Sequence, residues 1–143
     1  MVNFFVNHYY SIVNWMAALI LLGRILFVLI FFTSVPGNFN NQKTKSAEAN
    51  GLSLASLLVP LSSVMALIGA ASVLLGIYGQ YGAWLLIIFL IPVSFIQHKF
   101  WTIDDPLKRR MQYINFMKNI SIIGGALFIA VYGTGPLSID ALF

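Results

Sequence analysis

The side chains best suited to chemistry in this 143-residue sequence are a few polar groups set inside long apolar runs. Arg24 lies near the middle of the first run, where a charge costs at least about 2.5 kcal/mol by insertion scales. A partner or water must therefore satisfy it. We interpret Arg24 either as a contact for an anion, a quinone head group or polar residues of another helix, or as a side chain that snorkels to the membrane surface.

A second group of polar side chains lies at the start of the last apolar run, within about a third of the helix circumference at 100° per residue. Its members are Gln112, Asn115, Lys118 and Asn119. Such a face should meet protein or water rather than lipid, unless the turn projects beyond the bilayer and leaves only Lys118 and Asn119 at membrane depth. We predict that Arg24 and this face converge on one cavity, with amide carbonyls, waters or a bound anionic or quinone-like oxygen between the two cations.

His98 and Trp101, which follow the third apolar run, are further candidates for contact with a ligand or a partner. A single histidine at an interface is usually solvated or caps a helix, and a metal site needs more ligands nearby. Asp104 and Asp105 precede Pro106, which is typical of a helix N-terminus. The sequence contains no glycine-rich phosphate loop and no spacing typical of a catalytic triad, so we name no catalytic residue and leave enzymatic activity open.

The composition is that of an integral membrane protein. Hydrophobic residues make up 59% of the chain and charged residues 8%, the mean hydropathy is +0.88, and soluble domains carry about 25% charged residues. Because cysteine is absent, we expect no disulfide or iron–sulfur chemistry. We also expect no haem, and a quinone is the cofactor class left open. We attribute the net charge of +4 to membrane topology, and we expect no nucleic-acid partner.

Four apolar runs predict four membrane spans, at about 15–35, 53–78, 83–98 and 111–132, within a single membrane domain over residues 1–143. Each helical span takes roughly 20 residues, and only helices satisfy their own backbone in lipid without alternating polarity. The predicted fold is therefore an all-α, four-helix membrane bundle. Small residues four apart would let these helices approach closely, although such spacing also arises by chance. They are Ser62, Ala66 and Ala70 in the second span and Ser121 and Gly125 in the fourth.

The charges between the spans predict the orientation. All the lysines and arginines outside the spans lie in loops 38–52 and 97–110, at Lys43, Lys45, Lys99, Lys108, Arg109 and Arg110. The positive-inside rule then makes both loops cytoplasmic and places both termini outside. We expect a multi-pass protein of a bacterial inner membrane, and the lack of a basic segment before the first span predicts no cleaved signal peptide.

Several segments, taken in order, resemble the DoxX family of small bacterial membrane proteins. They are LGRIL at 22–26, ANGL at 49–52, HKFW at 98–101, INFMKN at 114–119, GG at 124–125 and GTGPLSID at 133–140. The resemblance implies a four-helix bundle and, through relatives similar to thiosulfate:quinone oxidoreductase subunits or associated with oxidative-stress enzymes, a redox role. Many relatives carry a glutamate before a Gly-Gly pair in the second helix, whereas this chain has Ala66 and Gly69-Ala70 there, so a buried acid is missing.

Two functional hypotheses follow. The first is a membrane subunit or anchor of a quinone-linked or oxidative-stress complex, with an oxidoreductase docked on its cytoplasmic face. The second is a non-enzymatic scaffold whose basic loops recruit a protein partner or anionic lipid. A small transporter is less favoured because repeats and buried acids are lacking. The expected surroundings are the lipid bilayer, with a second copy of the chain as a further candidate partner.

Overall fold

The computed structural model describes residues 2–143, with side chains from Ile12 onward. Within that range the chain forms five α-helices and no strand: α1 Val2–Ser34, α2 Asn41–Ala49, α3 Ala55–Leu75, α4 Gly79–Gln97 and α5 Pro106–Tyr132. Short 3-10 helices cover Val35–Phe39, Phe100–Thr102 and Ile139–Leu142. Four of the α-helices, all except α2, are long and apolar enough to cross a membrane. The predicted all-α membrane fold is confirmed.

The helices α3 and α4 form the centre of the bundle. α4 packs equally extensively on α3 and on α5, and α1 packs on α3. The shared core contains Val28, Phe31 and Val35 from the first helix and its extension, Ala66, Ala70 and Val73 from α3, and Ala83, Leu86, Phe89 and Leu90 from α4. Because lipid chains are as apolar as these side chains, the core is held by close packing rather than by exclusion of water.

The closest approach of α3 and α4 lies near the turn that joins them. A Cβ atom added at Gly69 would stand 2.8 Å from the backbone carbonyl oxygen of Gly82, and one added at Gly82 would stand 2.5 Å from Ser72 Oγ. Gly76, at a φ of +67°, ends α3 in the left-handed conformation that glycine adopts most readily. The backbones of the two helices therefore pack closely at this end, which we call the turn end.

The opposite end of the pair, which we call the loop end, contains a proline in each helix. Pro60 lies five residues after the first residue of α3, and Pro92 lies five residues before the last residue of α4. A proline inside a helix removes one backbone hydrogen bond and crowds the preceding turn, which favours a bend. A cavity lies between the two helices at this level, and Pro92 lines it.

Two elements at the loop end differ from the sequence predictions. The polar segment between the first two spans contains α2, which begins after an Asn40 side chain that caps it, and which buries Ala47 against Ala55 and Val59. The last helix begins at Pro106, so it extends before the predicted span at about 111–132. Asp105 Oδ1 accepts hydrogen bonds from the two backbone N–H groups of residues 107 and 108, at 2.9 and 3.1 Å, so this carboxylate starts the helix as expected.

Substitution of Gly69 by alanine tests the close packing of α3 on α4 at the turn end. The added methyl group would press on the backbone of α4, so we expect Gly69→Ala to lower the free energy of unfolding by about 1–3 kcal/mol. Gly124→Ala is the matched control, because nothing lies within 4 Å of its added Cβ, and its effect should be neutral or mildly stabilising. Thermal unfolding in detergent, followed by circular dichroism, measures both. Equal melting temperatures for the two variants would contradict this account.

Candidate functional site

A cavity of about 350 Å³ lies between α3 and α4 at the loop end. Its walls are mostly apolar: Leu58, Val59, Leu61 and Met65 from α3, and Ile88, Phe89, Pro92, Val93 and Ile96 from α4. Leu61 and Ile88 keep 60% and 55% of their surfaces exposed, so the cavity opens sideways onto the surface that lipid covers. Small-molecule sites of this kind are typically apolar with a few convergent polar groups.

The charged and amide groups of this cavity lie at the loop end, at what we call its mouth. They are Asn38, Lys43, Gln97 and His98, and none of the described residues that line the cavity is acidic. Ser62 and Ser63 also line the α3 wall, where their hydroxyls donate to the carbonyl of Val59 at 3.0 and 2.7 Å.

Two hydrogen bonds connect α2 and α4 beside the mouth. Gln97 Nε2 donates to the backbone carbonyl of Lys43 at 3.4 Å, and Ser46 Oγ donates to Gln97 Oε1 at 3.2 Å. These contacts hold Lys43 beside the opening, although its side chain is exposed.

His98 joins the cavity to the last helix. Its Nδ1 lies 2.7 Å from Gln112 Oε1, and its other ring nitrogen has no hydrogen-bond partner among the side chains described. The structure therefore brings together two residues that the sequence singled out separately. Trp101, about half exposed, belongs to a neighbouring cluster of rings that contact one another edge-on or tilted. The other rings are Phe95, Phe100, Tyr113 and Phe116.

The polar face predicted on the last helix does not form one site. Gln112 bonds to His98, whereas Lys118 is exposed with its Nζ 3.4 Å from Asn115 Oδ1, and Asn119 is buried in the bundle. Neighbouring residues of this face therefore contact another helix end, the exposed surface and the bundle interior, respectively, and do not share one site.

Arg24 lies apart from that face, with only 4% of its surface exposed. Its Nη2 donates to the backbone carbonyl of Leu137, and within the described chain its Nε and Nη1 have no hydrogen-bond partner. Phe27, one turn further along α1, meets Gly125 of the antiparallel α5. Arg24 therefore lies beyond that contact, away from Asn119, and the predicted convergence is wrong.

The acceptor for Arg24 comes from residues 133–143, which we call the C-terminal segment. This segment folds back over the turn end: Tyr78 N donates to Asp140 Oδ2 at 2.7 Å, and Asp140 N donates to the carbonyl of Gly76 at 3.0 Å. Sequence reasoning did not assign these contacts to Leu137 or Asp140. The available signal was the pair Gly133 and Gly135, both at positive φ, which lets the chain reverse after the last helix.

No metal centre accompanies these groups in the part of the chain that the structure describes, where no three histidine, aspartate or glutamate side chains cluster. The arrangement at the loop end can instead hold an apolar chain between helices and a polar group at the mouth. At the turn end, the C-terminal segment covers Arg24 and supplies an acceptor only to its Nη2. We take the cavity between α3 and α4 as the candidate functional site, because it combines apolar walls with a cation and amide groups at one end.

Comparison with known proteins places this architecture among small membrane proteins. The profile of the SURF4 family matches residues 10–142. The chain is similar to the Surfeit locus protein 4 homolog of Schizosaccharomyces pombe, at 29% identity over 84% of this chain and 36% of that protein. It is also similar to two Escherichia coli proteins: inner membrane protein YphA, at 32% identity over 85% of this chain and 88% of that one, and inner membrane protein YqjF, at 25% over 86% and 90%.

The chain thus spans well under half the length of the fission yeast protein and most of the length of the two bacterial proteins. No solved structure matches it. The DoxX resemblance inferred from short segments is wrong, because the profile that matches nearly the whole chain is that of the SURF4 family. Those segments are rich in glycine, aromatic and amide residues, which membrane helices of different families use at similar places.

Removal of the Arg24 charge tests the contact with the C-terminal segment. Because the chain has no native cysteine, Ser138→Cys can report on this buried position. In the Arg24→Met background, loss of a charged hydrogen bond should raise the labelling rate of Cys at 138 by roughly tenfold. Leu142→Cys, at a position 78% exposed, should label equally fast in both backgrounds. An unchanged rate at 138 would show that Arg24 does not hold the segment.

Proposed function

The chain belongs to the SURF4 family, and we propose that this multi-pass membrane protein binds the apolar chain of an amphiphile in the cavity between α3 and α4. The observation that supports the proposal most directly is a mostly apolar cavity beside exposed apolar side chains, with its charged and amide groups at one end and the wall hydroxyls of Ser62 and Ser63 bonded within α3. An amphiphile could slide in from the bilayer and keep its head at the mouth. The apolar chain would exchange lipid contacts for protein contacts without crossing water.

The redox role expected from the sequence is one form of this proposal. A quinone is an amphiphile with an apolar tail and a head that accepts hydrogen bonds, and Asn38 and Lys43 at the mouth offer N–H donors to such a head. An oxidoreductase partner would then dock at the loop end, where the mouth lies. The quinone content of the purified protein separates this form from one in which the amphiphile is a lipid.

A second candidate function is a scaffold that recruits anionic lipid or an acidic partner. Its support is the exposed basic group Lys108, Arg109 and Arg110 at the start of α5, on the same end of the bundle as the cavity mouth. A basic cluster next to a membrane helix attracts anionic lipid by about 1 kcal/mol per charge. This function needs no cavity, so filling the cavity would leave it intact.

The basic loops predict that the loop end lies in the cytoplasm, which labelling can test. We expect Lys45→Cys and Lys108→Cys to react with a membrane-impermeant reagent only after the cells are permeabilised, and Leu142→Cys to react in intact cells. Both lysines are exposed, and Leu142 is more accessible than its neighbour Ser138, which is buried. Labelling of Cys at 108 in intact cells would reverse the proposed orientation.

Filling the cavity tests the binding function. Val93 lines the cavity, so Val93→Trp should occupy the space and deplete the amphiphile that copurifies from native membranes. Ile91→Trp is the matched control, because Ile91 lies on the same helix, is exposed and does not line the cavity. Mass spectrometry of lipids and quinones, normalised to folded protein, gives the readout. Equal amphiphile content in both variants and the unmodified chain would refute the proposal.

A further inference from the structure

We infer that the amphiphile held in this cavity has a single apolar chain and an anionic head, either a carboxylate or a phosphate. The inference rests on the proposed function and adds the chemical class of the ligand. Three features support it: the sign of the charge at the mouth, the way the groups at the mouth are held, and the size of the apolar part.

The charge at the mouth is positive. Lys43 is the only charged side chain lining the cavity apart from the titratable His98. Glu48, the acid on the same helix as Lys43, does not line it. A cation beside an apolar cavity attracts an anion more strongly than in bulk water, because the surroundings screen the charge less. A neutral head would gain no charge attraction from Lys43, so an anionic head is favoured.

Two of the groups at the mouth have donors that no contact within the chain uses. The hydrogen bond to Gln97 uses the backbone carbonyl of Lys43, so the ammonium group remains available. Asn38, half-buried at the same mouth, adds an amide donor. His98 adds no donor, because its Nδ1 donates to Gln112 Oε1 and Nε2 of the neutral ring is an acceptor. Lys43 and Asn38 suit a head with several acceptor oxygens, as in a carboxylate or phosphate.

The apolar part has room for one chain. At about 350 Å³, the cavity is near the lower end of the roughly 300–1,000 Å³ range of small-molecule sites. Its α3 wall runs from Leu58 to Met65 and its α4 wall from Ile88 to Ile96, which is about two helical turns on each side. Such a short, narrow space suits a single chain rather than the paired chains of a bilayer phospholipid.

Equilibrium binding of labelled probes to the purified full chain in detergent tests the inference. The probes share one chain and differ in the head: hexadecanoate, hexadecyl phosphate and hexadecanol. We expect the two anions to bind at least about tenfold more tightly than the alcohol, as a charged hydrogen bond predicts. The tighter of the two anions identifies whether the head is a carboxylate or a phosphate.

Charge variants on α2 give the matched comparison. Lys43→Gln should remove the preference for the anions, whereas Lys45→Gln, which makes the same charge change at an exposed position away from the cavity, should keep it. Equal binding of alcohol and anion by the unmodified chain, or tighter binding of a neutral quinone, would overturn the anionic head. Binding of phosphatidylglycerol as tightly as hexadecyl phosphate would overturn the single chain.

The outcome also separates this inference from the function on which it rests. If neutral probes bind and Val93→Trp abolishes their binding, the cavity holds an amphiphile but the anionic head is wrong. If no probe binds and Val93→Trp changes nothing, the proposed function itself fails. The melting temperature of each variant shows whether lost binding reflects lost folding.

Discussion

The backbone contact between Gly69 and Gly82 is the constraint on which the rest of the structure depends. In lipid, apolar side chains gain little by leaving their surroundings, so two helices associate where their backbones can come close enough to pack. The two glycines allow that approach at the turn end, where an added Cβ would stand 2.8 Å from the opposing carbonyl. The helices pack closely there, and the cavity lies at the other end of the pair, where each helix contains a proline.

The two ends of the bundle therefore treat their polar groups differently. At the turn end, Arg24 is buried beneath the C-terminal segment, where only its Nη2 has an acceptor, the carbonyl of Leu137. At the loop end, Lys43 is held through its backbone carbonyl and keeps its ammonium group free beside an apolar cavity. A buried polar group covered by the chain is out of reach of a ligand, whereas an accessible one beside an apolar space can bind one. This contrast is why we assign function to the loop end.

Short sequence segments predicted the architecture correctly but the family incorrectly. Small residues where helices meet and aromatic residues near span ends are requirements of the bilayer, so proteins of different families share them. The resemblance of segments such as LGRIL at 22–26 therefore carried information about membrane packing more than about ancestry. A match over residues 10–142 weighs the whole pattern and identifies the SURF4 family.

The sequence by itself determined the membrane class, the four long apolar helices and the Asp105 cap of α5, because these follow from local composition and from contacts between near neighbours in the chain. Only the tertiary structure decided which polar groups meet. His98 and Gln112 are 14 positions apart, and Arg24 and Leu137 are 113 apart. Such pairings depend on where glycines let helices approach and where a terminal segment folds back. Periodicity along one helix shows which residues share a face, but the packing of distant elements decides what that face contacts.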